Sequence, residues 1–446
     1  MSATNHKPNG KHRLRRRAVL GGLGAAALLA RPHVARAQKV TELIVLTGVT
    51  PWLPAYQKVA AGYEKAAGVK VTLRSFPYAG MRTQMVNAIQ SNNPVFDVFQ
   101  LDESATGEFY DNAWVRPLDD IDPGYKIDPG IVTYDGLPFW NKSLRTATAQ
   151  GGKVMGLPLN GNIDLFYYRK DLYEKLGLQV PRTWDEAIEN GRKAQKAGVV
   201  KYGYVTRGQP TVGGQAITYE FMPVFYSDGA EWFADEGKNW TPTINSDAAK
   251  QAMATFRKLL ELGPERPQTV GQADVIGLMQ GGQTLQAHFV AAGAPQLEDP
   301  DRSAVVGKIG YAPLPAGSTG KNAPTSGTWS LAVPAGQTED RQKAGADYIR
   351  WFMSKPQQEA FVRAGGIPTR DDVGASFGKS AIYLDAVAAS WPNIRRSMRY
   401  VFANAMLDAV EPALAQMGSG DVKVDEGLDK LQAQVTEVVK KAGFLK

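Results

Sequence analysis

From Thr41 to Leu101 the hydrophobic pattern switches repeatedly between a period of two and a period near 3.6. Thr41-Glu42-Leu43-Ile44-Val45-Leu46 reads as a buried strand. Pro54 to Ala67 reads as a helix, with Pro54 in its first turn and Gly68 at its end. Val69 to Leu73 alternates as a second strand, and Gly80 to Ser91 puts Met81, Met85, Ala88 and Ile89 on one helical face. Phe96 to Leu101 is a third strand. Strand–helix–strand–helix–strand leaves one economical solution, a parallel sheet with right-handed crossovers. Such sheets bind ligands beyond the carboxyl ends of their strands. Those ends carry Thr47-Gly48-Val49-Thr50-Pro51-Trp52, then Ser75-Phe76-Pro77-Tyr78, then Asp102-Glu103-Ser104. Thr50, Trp52, Tyr78, Asp102 and Glu103 are therefore candidate ligand contacts. Asp102 has a second reading, as the N-cap of a helix starting near Ser104.

The residues ahead of this pattern read as an export leader. Lys7, Lys11, Arg13, Arg15, Arg16 and Arg17 form a basic part, Ala18 to Ala30 an apolar part of 13 residues, and Ala35-Arg36-Ala37 a small-x-small cleavage signal. Residues 1–37 are thus expected to be removed, leaving Gln38 first. Thirteen helical residues rise roughly 20 Å, too little for a bilayer core of about 30 Å. Arg16-Arg17-Ala18-Val19-Leu20 fits a twin-arginine leader, which passes folded proteins through the twin-arginine translocase. Arg15 stands where such leaders often carry Ser or Thr; the competing reading is an ordinary arginine-rich secretory leader. The expected destination is the periplasm.

The leader also holds the positive surplus. It has eight Lys and Arg and no acidic residue, so 43 basic and 44 acidic residues remain of the full 51 and 44. A nearly neutral mature chain gives no basic face for nucleic acid. There is no cysteine, which excludes disulfides, thiolate metal sites, Cys nucleophiles and a lipid anchor on an N-terminal Cys. His6, His12 and His33 leave with the leader, so His288 stands alone in the mature chain. No metal and no cofactor is expected. Some 400 residues exceed one ordinary core and predict two domains.

A second α/β region follows. Leu165 to Tyr168 reads as a strand, and Asp171 to Leu176 starts a helix that Gly177 ends. Thr183-Trp184-Asp185-Glu186 has the spacing of a capping box. Ser246 or Asp247 caps a helix to about Leu262; Ile309 to Leu314 and Ser330 to Val333 are short strands; Asp340 to Met353 and Val424 to Lys441 are amphipathic helices.

The block Gly151-Gly152-Lys153-Val154-Met155-Gly156-Leu157-Pro158, the tyrosine-rich Phe166-Tyr167-Tyr168-Arg169-Lys170-Asp171-Leu172, and Pro181-Arg182-Thr183-Trp184-Asp185-Glu186 together resemble family 1 extracellular solute-binding proteins of ABC importers. Phe96 to Asp102, Gly327-Thr328-Trp329-Ser330-Leu331-Ala332-Val333-Pro334 and Trp351 to Gln358 with Gly366-Ile367-Pro368-Thr369-Arg370 agree, in order. Arg169 stands where many members have Asn. The resemblance implies an α/β, type II-like periplasmic binding protein. Its two lobes would be joined by three crossovers and would close on a ligand like a hinge. Lobe 1 would comprise residues 38–159 and 327–366, lobe 2 residues 160–326 and 367–446. It implies a monomer that binds a sugar or polyol without catalysis and delivers it to an ABC permease at the inner membrane. It adds Asn160, Asn162, Tyr219, Thr328, Trp329, His288 and Arg396 to the candidate contacts. Competing readings are a turn for the asparagines, core packing for Tyr219 and Trp329, a satisfied structural role for His288 and a solvated helix face for Arg396. The rival functions are an exported glycan-acting enzyme using Asp102 with a second carboxylate, and a binding protein for polyamine or glycerol phosphodiester.

Overall fold

Leu43, Val45 and Leu46 are fully buried in β1 (Glu42–Gly48), the strand around which the first sheet is built. In the computed structural model, which describes residues 39–91, 94–374, 377 and 381–446, β1 runs parallel to β2 (Lys70–Phe76) and to β3 (Val98–Leu101). The leader lies outside the described residues. The expected parallel start is therefore present. The helix expected over 54–67 is two, α1 (Leu53–Ala60) and α2 (Gly62–Ala67), parted at Ala61. Gly68 ends the second at φ +69°, a left-handed turn that costs glycine nothing. The helix α3 (Tyr78–Gln90) begins earlier than its apolar stripe, directly after Pro77.

The sheet grows through segments distant in sequence. Its order is β2-β1-β3-β9-β4, with β4 at Val115–Arg116 and β9 at Trp329–Pro334; β5 (Gly156–Asn160) also pairs with β9. β9 lies antiparallel to β3, Ser330 opposite Leu101. A second sheet places β6 (Asp164–Arg169) between β7 (Gln286–Val290) and β8 (Ile309–Ala312), both antiparallel to it. The sequence pattern does not mark β7, because every one of its residues is buried and no alternation remains.

The chain passes between the sheets through irregular segments, one short and one long. β5 ends at Asn160 and β6 begins at Asp164; β8 ends at Ala312 and β9 begins at Trp329. Ile367 then accepts a bond from Gly161 N at 3.1 Å, so a later segment lies against the first passage. Near the second sheet, α5 (Ile217–Ser227), α6 (Asp247–Leu260), α7 (Ala403–Ser419) and α8 (Val424–Lys441) pack together. α5 and α7 are absent from the sequence reading. α5 is buried all round and α7 carries Pro412, so neither shows a clean amphipathic stripe. The predicted capping box is half formed: Thr183 accepts from Glu186 N at 3.2 Å, but the Glu186 carboxylate takes Arg182 N at 2.6 Å.

Candidate functional site

Three aromatic rings meet at the carboxyl end of the first sheet. Trp52 precedes α1, Tyr78 opens α3 and Trp329 opens β9. The Trp52 and Trp329 centroids are 5.5 Å apart at 70°, and Tyr78 lies 5.7 Å from Trp329. Both indoles are nearly enclosed, at 3 % and 6 % exposure. Edge and tilted contacts of this kind are the favoured geometry for packed rings and fix the three in one aromatic wall. The Trp52 indole N–H and the Thr50 hydroxyl are buried without a hydrogen-bond partner among the described residues.

Asp102 stands beside this wall. Its carboxylate accepts from Ser104 N at 2.9 Å and so caps α4 (Glu103–Asp111), while its charge is felt at the Tyr78 hydroxyl. Burial raises its pKa, against the pull of Ser104, Tyr78 and Arg207. Asp102 is thus a helix cap placed at the mouth of the wall. Glu103 is committed to the protein: it accepts from Ser326 Oγ at 2.7 Å and Ser397 N at 3.3 Å, and pairs with Arg399 Nε at 3.0 Å. Both partners of that ion pair are buried, and burial pushes the Glu103 carboxyl up to about 7.

The second sheet supplies a more polar wall. Asp164, first in β6, is fully buried, and neither carboxylate oxygen has a hydrogen-bond partner among the described residues. Burial holds its pKa well above the usual carboxylate range; Glu220 adds to the shift and Arg207 opposes it. Arg207 pairs with buried Glu220 at 3.1 Å and lies over the Tyr219 ring at 5.9 Å. The Arg207 charge also acts on Asp102 and Tyr78, pulling both pKa values down against their burial. Gln215 gives its N–H to the Tyr78 hydroxyl at 3.0 Å and its Nε2 to Ser397 Oγ at 2.5 Å, leaving Oε1 without a partner.

The remaining candidates divide. Asn160 accepts from Ile367 N at 2.9 Å and Asn162 from Ala292 N at 3.0 Å, so both carbonyl oxygens stitch the first passage to its surroundings. The Asn160 amide nitrogen is buried without a partner. Thr328 is buried, and because Ser326 Oγ gives its one proton to Glu103, the Thr328 hydroxyl donates to Ser326 Oγ at 3.2 Å. Tyr219 donates to Thr325 O at 3.1 Å and lies against Gly327, where a Cβ would come 2.5 Å from its hydroxyl. His288 has both ring nitrogens engaged. Nε2 donates to Glu220 O at 2.8 Å, because a carbonyl only accepts, and Nδ1 then accepts from Tyr204 Oη at 2.7 Å. Burial pushes its pKa down to about 4. His288 thereby holds the backbone of Glu220. Arg396 is partly exposed and bonds Asp135 at 2.7 Å.

Sequence reasoning missed Asp164, Arg207, Gln215, Glu220 and Arg399. Two carried a signal: Asp164 and Glu220 are lone acids inside apolar runs, Ile163-Asp164-Leu165-Phe166 and Tyr219-Glu220-Phe221-Met222. A charge among residues that will be buried needs a reason. The segment holding Arg207 and Gln215 has no periodicity to draw the eye.

Two sheets joined by irregular passages, with an aromatic wall and a buried polar wall, define a two-lobed α/β solute receptor. The profile of the bacterial extracellular solute-binding protein family matches residues 49–359, and the chain belongs to that family. It is 25 % identical over 436 residues to a Sinorhizobium fredii protein named "Probable amino-acid ABC transporter periplasmic-binding protein", covering 95 % of this chain and 94 % of that one. It is 24 % identical over 280 residues to the mannitol-binding protein of Pseudomonas aeruginosa, covering 62 % and 60 %. The maltose-bound T. maritima MalE3 superposes with a TM-score of 0.77 at 22 % identity, over 89 % of this chain and 99 % of that one. At that identity the likeness establishes the fold.

Proposed function

We propose that this protein is the solute receptor of an ABC importer, binding a sugar or polyol between its lobes and delivering it, unchanged, to the membrane permease. The observation that carries the choice of ligand is the pairing of the site's cations. Arg207 is matched by Glu220 and Arg399 by Glu103. Each positive charge is therefore matched by a carboxylate, which leaves no unmatched cation for a phosphodiester or an amino-acid carboxylate, and both arginines disfavour a polyamine. Unpartnered Asp164, Asn160, Thr50 and Trp52 polar atoms beside packed aromatic rings suit the hydroxyls and apolar faces of a neutral polyhydroxylated molecule. The names of the mannitol-binding relative and the maltose-bound neighbour agree with that chemistry. Glu103, with its oxygens engaged, is poorly suited to act as an acid or base, which favours binding over hydrolysis.

Lobe boundaries at 159/160, 326/327 and 366/367 are supported by the hydrogen bonds that join Asn160 to Ile367 and Asn162 to Ala292 and Gly327, where a hinge would lie. Among the described residues no helix is long and apolar enough to cross a membrane. The leader read over residues 1–37 supports release into the periplasm by the twin-arginine route, and the resemblance to single-chain receptors supports a monomer. Titrating the protein with D-mannitol, ribitol, D-glucose, spermidine, glycerophosphocholine and L-leucine in a calorimeter tests the ligand class. One-to-one binding confined to the sugars and polyols is expected; binding only of a charged compound would reject it. Retention of an Arg16→Lys, Arg17→Lys precursor in the cytoplasm is expected, and its normal export would reject the twin-arginine route.

A further inference from the structure

The segment from Arg207 to Ala216 joins the second sheet's elements to α5 and has no regular structure. Its outer side is exposed at Val212 (75 %), while Gly214 and Gln215 are buried. Its far end is held from below by one side chain: Glu411 of α7 accepts from Thr211 N, Ala216 N and Thr218 N at 2.8, 2.8 and 3.0 Å. Gly213 turns the chain with φ +69°, a conformation that side chains resist. Gly214 then presses on the ring of Tyr78 from the opposite sheet. A Cβ there would come 2.5 Å from the Tyr78 hydroxyl and 2.7 Å from Cε1. Gln215 completes the contact with its N–H to that hydroxyl at 3.0 Å.

We infer that residues 208–216 form a closing strap that seals the aromatic end of the cleft against Tyr78, limiting the site to a ligand of one sugar or polyol unit. The limit rests on the polyhydroxylated-ligand reading above; the strap itself does not. Two observations carry it independently. Backbone and ring touch so closely at Gly214 that not even a methyl group passes between them. Tyr78 is also the ring packed on Trp329, so a molecule lying on the Trp329 indole meets Tyr78 and the strap on that side. A longer glycan needs an exit there. The polar atom the strap delivers, Gln215 Oε1, is buried without a hydrogen-bond partner among the described residues, so the element that closes the site also equips it.

Two measurements test this. Hydrogen exchange needs no ligand: Tyr78→Phe keeps the ring and removes the acceptor of the Gln215 N–H, so the Gln215 amide should exchange about 10-fold faster. Unchanged exchange overturns the strap contact. Binding then tests the limit. Wild-type protein should be stabilised by at least one of D-mannitol, ribitol and D-glucose and not by maltotriose, while Tyr78→Ala should gain a maltotriose response. Wild-type protein that binds maltotriose as tightly as the single units overturns the size limit with the strap intact. A protein that answers to none of these compounds overturns the polyhydroxylated-ligand reading and its size limit together, and the exchange measurement still decides the strap.

Discussion

Replacing Asp164 with Ala should make the protein more stable and a worse receptor. The carboxyl is fully buried, both oxygens lack hydrogen-bond partners among the described residues, and Glu220 adds a second acid to its surroundings. A buried polar group without a partner costs about 1–3 kcal/mol, so its removal should return a similar amount to the ligand-free protein. Unfolding entropy near 2.1 cal/mol/K per residue, over about 400 residues, makes 1 kcal/mol worth roughly 1 °C. A rise in Tm of about 1–4 °C is expected. Binding should move the other way. A hydrogen bond contributes about 0.5–1.5 kcal/mol between neutral groups and about 1.5–3 kcal/mol to a charged one, and a carboxyl between two ligand hydroxyls would make two. A loss of about 2–4 kcal/mol weakens affinity roughly 30- to 1,000-fold. Differential scanning calorimetry of the ligand-free variant and titration calorimetry with whichever sugar or polyol binds the wild type measure both on one sample. A lower Tm with unchanged affinity would refute the reasoning, because it would make Asp164 a structural partner of Arg207.

Trp329→Ala should weaken binding by at least about 2 kcal/mol, roughly 30-fold, and also lower stability by about 3–5 kcal/mol, since the indole is nearly enclosed against Trp52 and Tyr78; intact affinity in the folded variant would remove it from the site. Gly107→Ala should lower the Tm, because its Cβ would lie 2.5 Å from Arg399 O and 2.7 Å from Tyr400 C, and overpacking against backbone costs about 1–3 kcal/mol. Gly80→Ala meets nothing within 4 Å and serves as the control; equal melting of the two variants would show that α4 does not press on the 399–400 segment. Stability should rise as pH falls from 8 to about 6. Burial lifts Glu103 and Glu220 to about 7, so the penalty of their buried charge is complete above that pH and fades on acidification toward 4.5. His288 works in reverse: its pKa is pushed down to about 4, so the unfolded chain takes the proton first and stability is lost between about 6.5 and 4. A Tm that is flat from pH 8 to 6 would count against buried, titrating carboxyls.

Much of the architecture was legible before any coordinates. The alternation of Leu43, Val45, Val71 and Leu73 against the stripe of Met81 and Met85 required parallel strands with crossovers, because local periodicity reports which face of an element is buried. The same reasoning placed Trp52, Tyr78 and Asp102 at strand ends and drew the C-terminal helix at Val424–Lys441, its observed bounds. Elements buried on all sides were not legible. β7 and α5 have no polar face to set a period, and α7 is interrupted by Pro412. The polar wall was hidden for a different reason. Asp164, Arg207 and Glu220 come together only because β6, an irregular segment and α5 converge, and such convergence leaves no spacing in the chain. Composition could show that a charge was present; only the tertiary structure could decide which charges were paired. It turned Glu103 from a candidate contact into the partner of Arg399, 296 positions away, and His288 into a brace for Glu220. Sequence determines which faces seek burial, whereas the three-dimensional fold decides which buried polar groups find partners and which are left facing the cleft.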